Sequence, residues 1–117
     1  MKASADDIFT ALTNPLTIEI WTGAAAVMEP LPGTEFSLWD GEISGLNLEI
    51  EPGKKIVQEW YFEGEDEKSI VTITLIPEGN NTNVELLHIN IPEEAFDNIV
   101  EGWDRYYFKP LKQLVEE

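Results

Sequence analysis

Apolar positions near the C-terminus recur at helical spacing. Phe96, Ile99, Val100, Trp103, Tyr107, Leu111 and Leu114 fall on one face, the pattern of an amphipathic helix lying on a broad surface. The spacing predicts one long helix from Pro92 to Glu117, with Phe96, Trp103, Tyr107 and Leu114 close to one line of its buried side. Pro92 suits the first helical position, where a missing N–H costs nothing. Glu93 and Glu94 stand where the helix dipole favours anions, and Lys109 and Lys112 near the end that favours cations. Pro110 lies inside the pattern and predicts a kink, or the end of the regular part, with the apolar face continuing through Leu111, Leu114 and Val115. Gly102 costs a helix on the order of 1 kcal/mol relative to Ala. It points either to close packing or to room left for something else.

The rest of the chain reads as short elements. Ser4 is a fitting N-cap for a helix over Ala5 to Leu12, with Asp6 and Asp7 in its first turn. Asn14-Pro15 breaks it. A second short helix runs from Pro15 to about Trp21 and ends at Gly23. Six short runs with strand character follow: Ala24 to Met28, Glu35 to Trp39, Ile43 to Ile50, Lys55 to Phe62, Ser69 to Ile76 and Val84 to Asn90. In the third, Leu46, Leu48 and Ile50 alternate against Asn47 and Glu49, the pattern of a strand with one apolar face. The fifth is β-branched on both faces, as a strand covered on both sides would be. Turns fall at Asp40-Gly41, Pro52-Gly53 and Pro77 to Asn83. Two short helices, about six strands and one long helix predict an α+β fold. An antiparallel meander curls around the C-terminal helix as a single domain over residues 1–117.

The chain has 117 residues, 23 Asp and Glu against 7 Lys and Arg, a formal net charge of −16, and no cysteine. That balance repels phosphate backbones and anionic lipid, so neither nucleic acid nor membrane is an expected partner. It suits basic surface patches on other proteins. Disulfides, thiolate chemistry and Cys-ligated metals are excluded. With no apolar signal core at the N-terminus and no run of membrane-spanning length, a cytoplasmic protein is the expectation.

Candidate chemistry is sparse. His88, the one histidine, is in phase with Val84 and Leu86 and should point inward. It reads as a hydrogen-bonded core residue or as a polar contact to a ligand. The acidic run Glu63, Glu65, Asp66, Glu67 lacks the alternating carboxylates and fixed glycine of a calcium loop and reads as a solvated turn. No cofactor and no metal is expected. Trp39, Trp60, Trp103 and Tyr107 are either plain core or the lining of an apolar cavity between sheet and helix, with His88 and Tyr107 as its polar groups.

Several stretches resemble a known family. Gly102-Trp103-Asp104-Arg105-Tyr106-Tyr107-Phe108 followed by Leu111-Lys112-Gln113 is similar to the end of the C-terminal domain of the activators of the heat-shock protein 90 ATPase. So are Trp39-Asp40-Gly41-Glu42-Ile43-Ser44-Gly45, and Glu51-Pro52-Gly53-Lys54-Lys55-Ile56-Val57 leading to Trp60-Tyr61-Phe62. His88-Ile89-Asn90-Ile91-Pro92, then Gly102-Trp103, resembles a pattern of the wider family of homologues. The resemblance implies a START-like helix-grip fold with a cavity between sheet and helix. It also implies a strand ahead of the first helix, for which Met1 to Ala3 are too few. The expectation is an uncovered sheet edge, open to a homodimer. In the chaperone activators a separate N-terminal domain supplies much of the contact with the chaperone, and these residues include no such domain. The leading expectation is therefore a non-enzymatic domain holding a small apolar or amphipathic ligand, with Trp39, Trp60, His88, Trp103 and Tyr107 as its binding residues. A chaperone-partner module is the alternative, and an enzyme using His88 stands behind both.

Overall fold

The computed structural model describes residues 1–116. Two helices open the chain. α1 (Ala5–Thr13) is capped by Ser4, whose Oγ accepts from the Asp7 N–H at 3.1 Å. α2 (Pro15–Thr22) starts on Pro15, with Asn14 Oδ1 accepting from Thr17 N–H, and stops at Gly23, whose φ of 73° a residue with a Cβ adopts only at a cost. Five strands follow: β1 (Glu35–Leu38), β2 (Ile43–Glu51), β3 (Lys55–Trp60), β4 (Ser69–Glu78) and β5 (Asn81–Ile89). They pair as an antiparallel meander in chain order.

The first of the six expected strands, Ala24 to Met28, is reduced to one bridge. Val27 exchanges hydrogen bonds with Ser37 at 2.9 and 3.0 Å. The Ala26 N–H goes instead to the Glu19 carboxylate and the Ala25 carbonyl to Asp40 N–H. Three alanines offer little cross-strand packing, and Pro30 follows closely. β3 stops at Trp60 rather than Phe62, while β4 and β5 run on through the expected turn region and leave a tight Gly79-Asn80 connection. β4 is covered on one face only. Ser69, Val71, Ile73 and Leu75 are buried, while Ile70, Thr72 and Thr74 are half-exposed.

The reading of β2 needs a larger correction. Asn47 is fully buried and Leu48 exposed, the reverse of the expected alternation. A bulge lies between Asn47 and Glu49. The extra residue flips the phase, so Gly45 and Asn47 face inward before it and Ile50 after it. Gly45 is required where it stands, because a Cβ there would run into the Glu59 carbonyl and the Phe36 ring.

The C-terminal helical segment grips the concave face. It comprises a 3-10 turn (Glu93–Ala95), α3 (Phe96–Gly102), a π-helical stretch (Trp103–Phe108) and α4 (Lys109–Val115). The Lys109 N–H donates to Asp104 O, five residues back. Pro110 has no N–H to give and its ring crowds the preceding turn; the helix continues past it, and the irregularity sits in the widened turn before it. Trp103, Tyr107 and Leu111 are buried, but Phe96 is 50% and Val100 49% exposed. The first turns thus overhang the sheet, contrary to the expected line of buried positions. Glu117, the expected last helical residue, lies outside the described residues.

β5 is an open edge. Met1 exchanges two backbone hydrogen bonds with Thr82, at 2.7 and 2.9 Å, and Thr82 Oγ1 donates to Ala3 O. Beyond Thr82 no described strand covers β5, and Leu87 is 60% exposed.

Candidate binding cavity

β3 and the π-helical stretch bring Trp60 and Trp103 face to face, their ring centroids 4.7 Å apart and stacked. Tyr107, one turn on, packs against Trp103 at 4.5 Å and against Trp21 of α2 at 4.9 Å. Trp39 completes the group at 6.0 Å from both Trp21 and Tyr107. It lies in the β1–β2 loop rather than on a strand, and its φ is 50°, followed by 55° at Asp40. A bulky residue in that region carries strain that its surroundings must offset, a pattern that concentrates at functional sites.

Most of these rings are held by their polar edges. The Trp21 indole N–H donates to Ala11 O at 2.8 Å. Trp60 donates to Gln58 Oε1 at 3.1 Å, and Gln58 Nε2 donates to Asn47 Oδ1 at 3.0 Å. Asn47 in turn donates to Glu29 O and Thr34 Oγ1, so the turn around Glu29 and Thr34 is tied to the same chain of bonds. Trp103 donates to His88 Nδ1 at 3.0 Å. Since Nδ1 accepts, the proton sits on Nε2, which donates to Ser69 Oγ at 2.7 Å; Ser69 then donates to Ile89 O. Burial holds His88 in this neutral form, lowering its pKa from 6.5 to about 4.

His88 therefore has both nitrogens committed to protein groups and positions the Trp103 ring. It does not line the cavity. The other four sequence candidates do: Trp39, Trp60, Trp103 and Tyr107 wall a cavity of about 450 Å³ between the sheet and the C-terminal segment. Among the described residues no protein group bonds the Tyr107 hydroxyl or the Trp39 indole N–H. Burial raises the Tyr107 pKa well above its ordinary value of 10, so the hydroxyl keeps its proton. Gly102 also lines the cavity, and a Cβ built on it would meet nothing within 4 Å. Of the two readings of Gly102, the structure shows open room.

Sequence reasoning passed over Glu42, Ile43, Asn98 and Tyr106, which share the wall, and Trp21, which backs it. Asn98 was within reach, because it stands four residues before Gly102 and so on the same helical face. Glu42 was not, since its position follows from the loop conformation that joins its N–H to Trp39 O at 3.1 Å. A second hollow of about 280 Å³ adjoins the first across Trp39 and Tyr106, with Arg105 and Lys109 at its side. Among the described residues no group of His, Asp and Glu could hold a metal ion, and no helix is long and apolar enough to cross a membrane.

The sequence model of the family described as "Activator of Hsp90 ATPase homolog 1-like protein" matches residues 2–116. The chain belongs to this family. An activator of 90 kDa heat shock protein ATPase homolog from Dictyostelium discoideum is 33% identical over 114 residues, which are 95% of this chain and 30% of that protein. The chain thus spans about a third of the curated relatives it matches. The crystal structure of an HSP90 activator from Plasmodium falciparum superposes with a TM-score of 0.89 at 27% identity, over 98% of this chain and 90% of that one. The solution structure of the Aha1 dimer from Colwellia psychrerythraea shares the fold, with a TM-score of 0.81 at 18% identity over 99% and 88% of the two chains. The fold is of the START-like helix-grip type.

Proposed function

We propose that this family member is a non-enzymatic binding domain that holds a small apolar or amphipathic ligand between the sheet and the C-terminal helix. The observation behind this reading is the cavity of about 450 Å³ walled by Trp39, Trp60, Trp103 and Tyr107. Its size and aromatic lining are those of small-molecule sites. The tethered rings keep the space from collapsing, and the free Tyr107 hydroxyl supplies one polar contact. The test uses Gly102→Leu, whose Cβ would stand in open space at the cavity wall and whose remaining carbons would take up part of the cavity. Native mass spectrometry of the protein purified from its host should show a bound small molecule that this variant lacks. A wild-type protein that carries nothing, and whose tryptophan fluorescence is unmoved by apolar probes, would sink the reading.

A second reading has the domain act on a heat-shock protein 90 type ATPase. It is favoured by the names of the relatives and by the net charge of −16, which would steer the domain to basic patches on such a partner. The chaperone's ATPase rate, measured with and without the domain at low and physiological salt, decides it; no change in rate at either salt removes this role. Self-association is a separate proposal. The N–H and C=O groups of Val84, Leu86 and His88 face the open edge of β5, where a second copy could add its own β5, and the Colwellia relative is described as a dimer. Leu87→Lys should shift a dimer to monomer in sedimentation, and a wild-type monomer at high concentration excludes it.

A further inference from the structure

We propose that the ligand of this cavity is an organic cation, an ammonium-bearing amphiphile whose charged head lies among the aromatic rings beside Glu42. The proposal rests on the cavity reading and gives the ligand a sign of charge. Five aromatic side chains line the space: Trp39, Trp60, Trp103, Tyr106 and Tyr107. Ring faces carry the negative end of a quadrupole and attract cations: Arg105 already lies over the Tyr106 ring, 5.9 Å from its centroid, whereas Trp60 and Trp103 cover each other's faces. The one acidic or basic side chain in the wall, among the described residues, is Glu42. Its backbone N–H donates to Trp39 O at 3.1 Å, which holds Glu42 close in the loop to one of the lining rings. The Tyr107 hydroxyl, kept protonated by burial, adds no charge.

The surroundings point the same way. A chain of net charge −16 draws cations toward its openings and repels anions. Two cations stand nearby on the adjoining hollow, Arg105 and Lys109, and Arg105 lies over the ring of Tyr106, which the two hollows share. Arg105 is already paired with Glu101 at 3.0 Å. An anionic ligand would have to hold its head at Arg105 and Lys109, in the adjoining hollow, and approach against the field of the whole protein.

The experiment compares three probes with the same alkyl chain, decyltrimethylammonium, 1-decanol and decanoate, by calorimetry and tryptophan fluorescence. The ammonium probe should bind tightest, on the order of tenfold over the alcohol, with decanoate weakest. Glu42→Gln should lower ammonium affinity about threefold or more and leave the alcohol unchanged. Gly102→Leu should abolish binding of all three while the fold persists. Alcohol or decanoate binding as tightly as the ammonium would overturn the assignment of charge and leave the cavity reading standing. Ammonium binding that survives Gly102→Leu would be attraction to the acidic surface, and it too overturns the proposal. No binding of any probe removes the proposal and the cavity reading together.

Discussion

The two ends of the concave sheet face are filled in different ways. At one end Ile8, Leu12, Ile56, Ile73, Leu75 and Leu111 are between 0 and 3% exposed and bring α1, β3, β4 and α4 together. These are aliphatic side chains with several rotamers, and they interdigitate until little space is left. At the other end the filling is aromatic: Trp21, Trp39, Trp60, Trp103 and Tyr107. Three of the four indole N–H groups are tied to named acceptors, Ala11 O, Gln58 Oε1 and His88 Nδ1. A planar ring held at its polar edge cannot swing to fill a gap, so this end keeps an open volume where the other does not. The lesson is that polar anchoring of large side chains can hold a cavity open inside a fold of 117 residues.

The comparison can be broken most visibly at the aliphatic end. Leu111→Ala should cost about 3–4 kcal/mol in chemical denaturation, since the site is fully enclosed and collapses poorly. Trp39→Leu, at the edge of the existing cavity, should cost about 1 kcal/mol, and a cost as large as that of Leu111→Ala would mean that the aromatic end is as tightly packed. Asn47→Ala leaves Gln58 Nε2 buried without its acceptor and should cost about 2–3 kcal/mol. It should also loosen Trp60, visible as a changed near-ultraviolet dichroism of the tryptophans.

A smaller effect is predicted with pH. The His88 pKa is lowered in the fold, so the unfolded chain binds more protons between about pH 6.5 and about pH 4. Stability from this group is complete above pH 6.5 and falls as pH drops through that window. Discounted for the partial exposure of the ring, the loss is about 1–2 kcal/mol. Denaturant midpoints at pH 7 and pH 4 should show it, and His88→Gln should flatten it; a flat wild-type profile would mean that burial does not hold His88 neutral. The smallest effect separates two glycines. Gly102→Ala should raise stability by about 0.5–1 kcal/mol, because the helix gains and nothing is struck. Gly45→Ala should lower it, because the Glu59 carbonyl and Phe36 ring are in the way. A loss at Gly102 would show that the open room beside it is already filled.

Much of this fold was legible along the chain. Ser4, Asn14-Pro15 and Gly23 mark the bounds of α1 and α2 through local hydrogen bonds and backbone preferences, which depend on neighbours a few residues away. The turn glycines and most of the strand runs were legible for the same reason. Strand count and strand face were less so. Ala24 to Met28 carries β-like spacing, yet its N–H and C=O groups found Glu19 and Asp40 before a strand partner. Asn47 looked outward by alternation and lies inward, because the bulge after it depends on how β2 sits against β3.

The site divides along the same line. Residue types and periodicity pointed to Trp60, Trp103 and Tyr107 as inward-facing and left plain core and cavity lining as alternatives, while Trp39, expected on a strand, lies in the β1–β2 loop. Periodicity has no term for what lies opposite a side chain across the core. That His88 serves Trp103 rather than the cavity, that Glu42 joins the cavity wall, and that Gly102 faces open space all depend on contacts between residues far apart in the chain. Those contacts exist only once sheet and helix have closed on each other, and their packing sets where space remains.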